Sequence, residues 1–356
     1  MKILFVISSL QIGGEQRAAS ILTNGLIQTG HTVDMLVLNQ KVEKQFEFNP
    51  SLSVEYADCD QKKTKNIARC KAVLSKAAAG SYDIMIAFAT IPSIICSMTS
   101  VLHRVPVVVC ERNDPAIYPL HFKAFRYIAY RFAAGAVFQT AEAAAFFDFL
   151  PALDKTVIPN PLNIMKLPEP FEGERRKRIV NTARLVVAKN QQMLIKAFSV
   201  IAQKYPDYDV VIYGDGPEKD KLLNCICENG LDGRITIHEA IPDILDEINQ
   251  DSVFVLCSDN EGFPNSLAEA LALGIPSIST DCRIGGPKDM IHSGENGTLV
   301  EVGNIRQLAQ AMDELLGSER LRDQYHRGYK AIRKRLNSEV IVKKWINYLE
   351  KVLANL

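Results

Sequence analysis

The sequence predicts an α/β protein made of two doubly wound parallel sheets that face each other across a cleft. Three observations lead there. Strand-like apolar runs alternate with helix-period segments through nearly all 356 residues; the alternation pauses once near the middle; and it then starts afresh. A chain of this length can bury two cores.

Strands covered on both faces read as continuous apolar runs, and Ile3 to Ser8 is one. Gly13-Gly14 breaks the chain, and Ala18, Ala19, Ile21, Leu22 and Leu26 then form one apolar face of a helix over 15–28. Gly30 ends that helix and Thr32 to Leu38 gives the next strand, a βαβ unit with a Gly-rich first turn. Ile84 to Phe88, Val105 to Cys110 and Ala136 to Gln139 are further strands, with helical stretches between them. The charged, Pro-containing stretch from Asn160-Pro161 to Arg178 reads as a linker. The expected division is a first domain over 1–162, a linker over 163–177 and a second domain over 178–337. The last helix, about 338–356, should pack back on the first domain.

The second series has strands at Ile179 to Thr182, Asp209 to Tyr213, 235–238, Val253 to Leu256 and Pro276 to Ser279. Helices fall at 190–204, 217–229 and 266–273, and more follow to the end. Ligands of such sheets bind at the carboxyl ends of strands. No repeat of solenoid length and no low-complexity tract interrupts the pattern.

Composition is that of an ordinary globular protein, 47% hydrophobic and 23% charged with formal net charge zero, which gives no reason to expect nucleic acid. The eight cysteines include no C-x-x-C pair and several lie in apolar runs, so buried free thiols fit better than disulfides or zinc. MKILFVISSL reads as a first strand rather than a signal peptide. No apolar stretch has the roughly 18 to 20 residues that span a bilayer. The expected location is cytoplasmic, with contact at the inner face of the plasma membrane left open.

Most chemistry is written in residues 257–276, CSDNEGFPNSLAEALALGIP. An apolar strand ends in a polar loop with Glu261, and Gly262-Phe263-Pro264-Asn265 leads into a helix that begins near Ser266. The amides and dipole of a helix start suit a diphosphate, and Gly262 lets backbone approach it. Glu269, in the first turn, could accept from ribose hydroxyls, and Glu261 from a sugar. Ser266-x-x-Glu269 is equally a capping box, and Glu261 equally a solvated loop charge.

This segment resembles the E-x7-E motif of family 4 (GT4) retaining glycosyltransferases, with Glu261 and Glu269 in its acidic positions. The likeness runs over nearly the whole chain and implies a GT-B fold, two facing Rossmann-like domains with the nucleotide-diphosphate sugar, UDP-sugar before GDP-sugar, in the second. Asn181-Thr-Ala-Arg184-Leu185-x3-Lys189-Asn190 is similar to the family's G-R-L-x3-K-N segment, which implies that Arg184 and Lys189 contact the donor diphosphate. A planar fork and a point charge both suit phosphate oxygens. Gly214-Asp215-Gly216-Pro217 resembles its G-x-G-P turn near the nucleotide, and Gly285-Gly286-Pro287 a supporting turn. Gly13-Gly14-Glu15 resembles the G-G-x-E turn after strand one, which implies contact with the phosphate or transferred sugar.

Glu111-Arg112-Asn113, after the strand Val105 to Val109, stand where many members carry His. They approach a subgroup with S/E-R-N-x-P, often found in surface-polysaccharide or glycolipid assembly, and are the acceptor-side candidates. Asp58-Cys59-Asp60 forms a D-x-D without a strong preceding strand. No metal and no cofactor beyond the sugar nucleotide are expected. The histidines His103, His121, His238 and His292 read as bystanders. The resemblance implies transfer of a hexose or N-acetylhexosamine to a glycan or polyprenyl-linked acceptor, without a protein nucleophile. A sugar-nucleotide epimerase of the same fold and a non-catalytic nucleotide-sugar-binding partner remain the alternatives.

The first 165 residues carry a net charge of about +3. Lys62, Lys63, Lys65, Arg69, Lys71 and Lys76 lie in one stretch, and residues 122–132 mix aromatic and cationic side chains at helical spacing. Such a surface suits an anionic membrane; a solvated face over an aromatic core explains it equally.

Overall fold

The computed structural model describes residues 1–11, 13–42 and 46–356. The chain folds as two compact units, Met1–Asn163 with Leu336–Leu356 and Ile164–Arg335.

In the first unit β1 (Lys2–Ile7), α1 (Gly14–Gln28), β2 (Thr32–Val37), β3 (Ser53–Tyr56), α2 (Lys65–Ala79) and β4 (Ile84–Phe88) follow one another. Then come α3 (Thr90–His103), β5 (Val107–Cys110), α4 (Leu120–Tyr130), β6 (Gly135–Phe138), α5 (Ala141–Ala145) and β7 (Lys155–Val157). All seven strands are parallel, in the order β3-β2-β1-β4-β5-β6-β7. The order reverses between β1 and β4, which opens a crevice at the carboxyl ends of those strands.

The second unit holds β8 (Arg176–Thr182), α6 (Gln191–Ile201), β9 (Asp209–Tyr213), α7 (Lys219–Glu228), β10 (Ile235–His238), α8 (Ile244–Ile248) and β11 (Asp251–Leu256). It continues with α9 (Asn265–Ala272), β12 (Ser277–Thr280), α10 (Gly286–Met290), β13 (Thr298–Val300), α11 (Ile305–Gly317), α12 (Glu319–Arg327) and α13 (Tyr329–Leu336). Its six strands are parallel in the order β10-β9-β8-β11-β12-β13, with the reversal between β8 and β11. β11 is buried along its whole length.

The last helix, α14 (Ser338–Ala354), returns to the first unit. Ile341, Val342, Trp345, Tyr348, Leu349 and Val352 enter its core, each worth about 2 kcal/mol of burial. The Tyr348 hydroxyl accepts from the Ala136 N–H at 2.9 Å and donates to the Asp154 carbonyl at 2.8 Å. A Cβ on Gly25 of α1 would meet Val342 Cγ2 at 2.4 Å, so the two helices cross where α1 has no side chain.

Asp58-Cys59-Asp60 follows β3, a half-exposed edge strand that carries Glu55 and lacks the apolar run of its neighbours. Asp60 is used locally, its Oδ1 accepting from the Gln40 N–H at 2.9 Å. Residues 163–177, read from the sequence as a linker, carry regular structure. Ile164–Lys166 form a 3-10 turn and β8 begins at Arg176. The Arg175 guanidinium donates to the Asn249 and Asp251 carbonyls at 2.7 and 3.1 Å. The cysteines are free, and six of them, Cys59, Cys96, Cys110, Cys225, Cys257 and Cys282, are buried.

Candidate functional site

The loops leaving β8 and β11 meet at the strand-order reversal of the second unit. Asn190 adopts the left-handed conformation, φ 44°, and caps the 3-10 turn Val187–Lys189. Its Nδ2 donates to Asp259 Oδ1 at 2.7 Å, and the Asp259 N–H donates to the Ala188 carbonyl at 2.9 Å. These bonds zip the two loops together. Lys189 Nζ then reaches Glu261 Oε1 at 2.5 Å, and Ser258 Oγ donates to the same oxygen at 2.7 Å. The two charged side chains are only 18% and 10% exposed, so their attraction is weakly screened. The Thr280 hydroxyl fixes the Ser258 carbonyl at 2.6 Å. Arg184, five residues before Lys189, presents an exposed side chain from the same loop.

Ser266 does not cap α9, so the capping-box alternative does not account for it. α9 starts at Asn265 with Pro264 at its N-cap and no side-chain cap bond. Proline fixes the entry angle of the chain and brings no N–H of its own. Ser266 is therefore inside the first turn, and Glu269 lies a full turn in, buried at 5% exposure. The helical ladder opens with the Ala268 N–H bonding the Pro264 carbonyl. The amides just before Ala268 precede that ladder at the positive end of the helix dipole. Phe263 is buried at 6% exposure and anchors the loop in the core.

The glycine turns shape this edge. A Cβ on Gly286 would lie 2.2 Å from the Gly262 carbonyl oxygen, so the Gly285-Gly286-Pro287 turn backs directly onto the Gly262–Pro264 segment. Gly214 and Gly216 press against the loop after β8, where Cβ atoms would meet the Ala183 and Leu185 carbonyl oxygens at 1.9 and 2.2 Å. The Leu185 N–H bonds the Asp215 carbonyl there at 2.8 Å. These two glycines fit backbone against backbone beside the Arg184 loop. Cys257 and Cys282 border the site, and burial pushes both thiols up to about 12, which keeps them protonated.

In the first unit, Gly13 caps α1 in extended conformation and Gly14 opens the helix. Glu15 follows in its first turn, and desolvation raises its carboxyl to about 7 against the pull of Arg112. Arg112 is itself buried, with its guanidinium carbon 3.8 Å from the Phe88 ring centroid and NH1 donating to Asn160 Oδ1 at 2.8 Å. Glu111 is buried with donors on both oxygens. Thr90 Oγ1 lies at 2.7 Å from Oε2, and Tyr130 OH and Arg126 NH1 at 2.5 and 3.3 Å from Oε1. Of the three acceptor-side candidates, only Asn113 is exposed. Buried Glu111 and Arg112 hold the loop that presents it.

Sequence reasoning gave no role to Ser258 or Asp259, and named Glu15 only as part of the Gly13-Gly14-Glu15 turn. Nothing in the spacing of Ser258 and Asp259 marks them, although both lie within the motif that drew attention. Among the described residues, no group of three or more His, Cys, Asp or Glu is placed to hold a metal ion. No helix among them is long and apolar enough to cross a membrane.

The family described as Glycosyl transferases group 1 matches residues 166–335. An exopolysaccharide phosphotransferase of Streptomyces coelicolor is 34% identical over 170 residues, 48% of this chain and 18% of that protein. The chain spans 18%, 64% and 48% of the length of three such relatives. A Campylobacter jejuni GalNAc-alpha-(1->4)-GalNAc-alpha-(1->3)-diNAcBac-PP-undecaprenol alpha-1,4-N-acetyl-D-galactosaminyltransferase is 22% identical over 99% of both chains. The crystal structure of Anabaena HepE in complex with UDP superposes with a TM-score of 0.81 at 19% identity, over 99% of this chain and 100% of that one. The chain therefore has the GT-B fold, and its residues 166–335 match the group 1 glycosyl transferase domain.

Proposed function

We propose that the chain is a retaining, metal-independent glycosyltransferase of the GT4 type. It would move a hexose or N-acetylhexosamine from a UDP-sugar to a glycan or polyprenyl-linked acceptor in cell-surface polysaccharide or glycolipid synthesis. The observation that carries this reading is the Lys189–Glu261 pair at the strand-order reversal, beside the uncapped start of α9. The group 1 domain match and the UDP complex of a structural neighbour support it.

In this reading the second unit is the donor domain. Departure of the sugar leaves negative charge on the diphosphate, which Arg184, Lys189 and the amides of Phe263, Asn265 and Ser266 would neutralise. Glu261 is oriented by Lys189 and Ser258 through one oxygen, which leaves the other for sugar hydroxyls. Glu269 would take the ribose hydroxyls. Gly262 and Pro264 shape the cradle, and Gly214 and Gly216 hold the Arg184 loop against the nucleotide. No protein nucleophile is assigned, because the leaving phosphate would act as base. The first unit would be the acceptor domain, with Gly13 and Gly14 as donor-binding candidates and Asn113 as its exposed acceptor-side candidate.

Calorimetric titration of UDP and then GDP tests the donor assignment, with tight binding of UDP expected. Product anomer configuration by NMR, after turnover with and without EDTA, tests retention and metal independence. Failure of both nucleotides to bind would remove the donor site.

A further inference from the structure

α4 is built inside out. Its outward stripe carries Leu120, Phe125 and Ile128, 82%, 48% and 50% exposed, and Phe132 follows just beyond its end. Its inward stripe carries Arg126, 1% exposed, whose NH1 lies 3.3 Å from the buried Glu111 carboxylate and whose NH2 donates to the Pro115 carbonyl at 2.9 Å. A surface helix normally shows the opposite arrangement. The Arg126–Glu111 pair locks the helical rotation, so the apolar stripe cannot turn inward without leaving both charges unpaired.

The patch extends beyond α4. Ser100 Oγ donates to the Phe132 carbonyl at 3.3 Å, which brings the end of α3 and its exposed Val101 and Leu102 beside it. Large exposed apolar side chains grouped in this way mark an interaction surface. The charge around them is one-sided. Residues 61–134 hold eleven Lys or Arg against three acids, in a chain whose net charge is zero. Two of those acids, Glu111 and Asp114, are buried, as are three of the cations, Arg69, Arg112 and Arg126, which leaves eight cations against Asp83. Lys123, Arg131 and Arg104 flank the apolar stripe, and α2, packed on α3, adds exposed Lys62, Lys63, Lys65 and Lys71 at and before its start.

We infer that this face of the first unit docks on an anionic lipid surface, with the α4 stripe entering the headgroup boundary and the lysines and arginines meeting lipid phosphates. Apolar insertion ringed by cations is the chemistry such a surface selects. The inference stands apart from the donor-site reading and uses none of its residues.

The test is co-sedimentation of the full chain with phosphatidylcholine vesicles, with and without phosphatidylglycerol. Binding is expected only with the anionic lipid and should weaken as salt rises. Phe125→Ser with Ile128→Ser, and separately Lys123→Glu with Arg131→Glu, should each lower partition by at least about tenfold. Thermal melting and UDP titration of the same variants separate loss of docking from loss of fold or of the donor site. Absence of wild-type binding to the anionic vesicles would overturn the inference, as would variants that partition like wild type. So would an apolar variant that only dissolves a lipid-free dimer, since the face would then be a protein interface.

Discussion

Lys189 Nζ stands 2.5 Å from Glu261 Oε1, joining residues 72 apart in sequence across the two strands where the second sheet reverses its order. A ligand phosphate arriving there would meet a cation already held in place.

Lys189→Ala should weaken UDP binding by about 1.5 to 3 kcal/mol, the range for a hydrogen bond to a charged group. Glu261→Gln keeps the Ser258 contact and should spare UDP affinity while lowering turnover of the UDP-sugar. Calorimetry and a transfer assay on both variants read this. Equal loss of UDP binding in the two would contradict the division of roles.

Ser266→Ala should change folding stability by less than about 0.5 kcal/mol, because Ser266 lies inside α9 and is not its cap. UDP affinity should nevertheless fall. A melting-point drop of the size a lost cap produces would restore the capping box.

Gly286→Ala places a methyl 2.2 Å from the Gly262 carbonyl oxygen and should cost about 2 kcal/mol or more through backbone displacement. UDP binding should weaken with it. Gly303→Ala has open space around the methyl and only a left-handed φ of 75° to strain, so about 1 kcal/mol is expected without any change in UDP affinity. Thermal denaturation and titration of the pair check the contrast.

Arg126→Met removes the buried partner of Glu111 and should destabilise the protein by about 3 to 5 kcal/mol, the cost of an uncompensated buried charge. Adding Glu111→Gln should recover part of the loss. A double variant as unstable as the sum of both singles would show that the two groups are uncoupled.

Asp251 is fully buried, 2.9 Å from Arg176 Nε, and burial pushes its carboxyl up to about 7 from an ordinary 3.8 despite Arg176 and Arg178. Between those values the folded chain holds a proton that the unfolded chain releases. Its contribution to stability therefore falls as pH rises from about 4 to about 7 and is level above. Asp251→Asn should lose less stability than wild type between pH 5 and pH 8, measured by chemical denaturation. Equal losses would rule the group out.

The sequence by itself determined the two doubly wound units and the segments that meet at the second sheet's carboxyl edge. Continuous apolar runs and 3.6-residue periodicity are local signals, and they suffice for strands such as β1 and β11. The edge strand Ser53–Tyr56 stayed hidden because an exposed edge needs no such run. Tertiary structure alone decided that Lys189 faces Glu261, that Pro264 rather than Ser266 stands at the N-cap of α9, and that Glu111 turns inward while Phe125 turns outward. Each depends on the direction of a side chain relative to a distant element. Spacing along one chain cannot encode that direction, because it is set when buried charges find their partners and packed backbones find their closest approach.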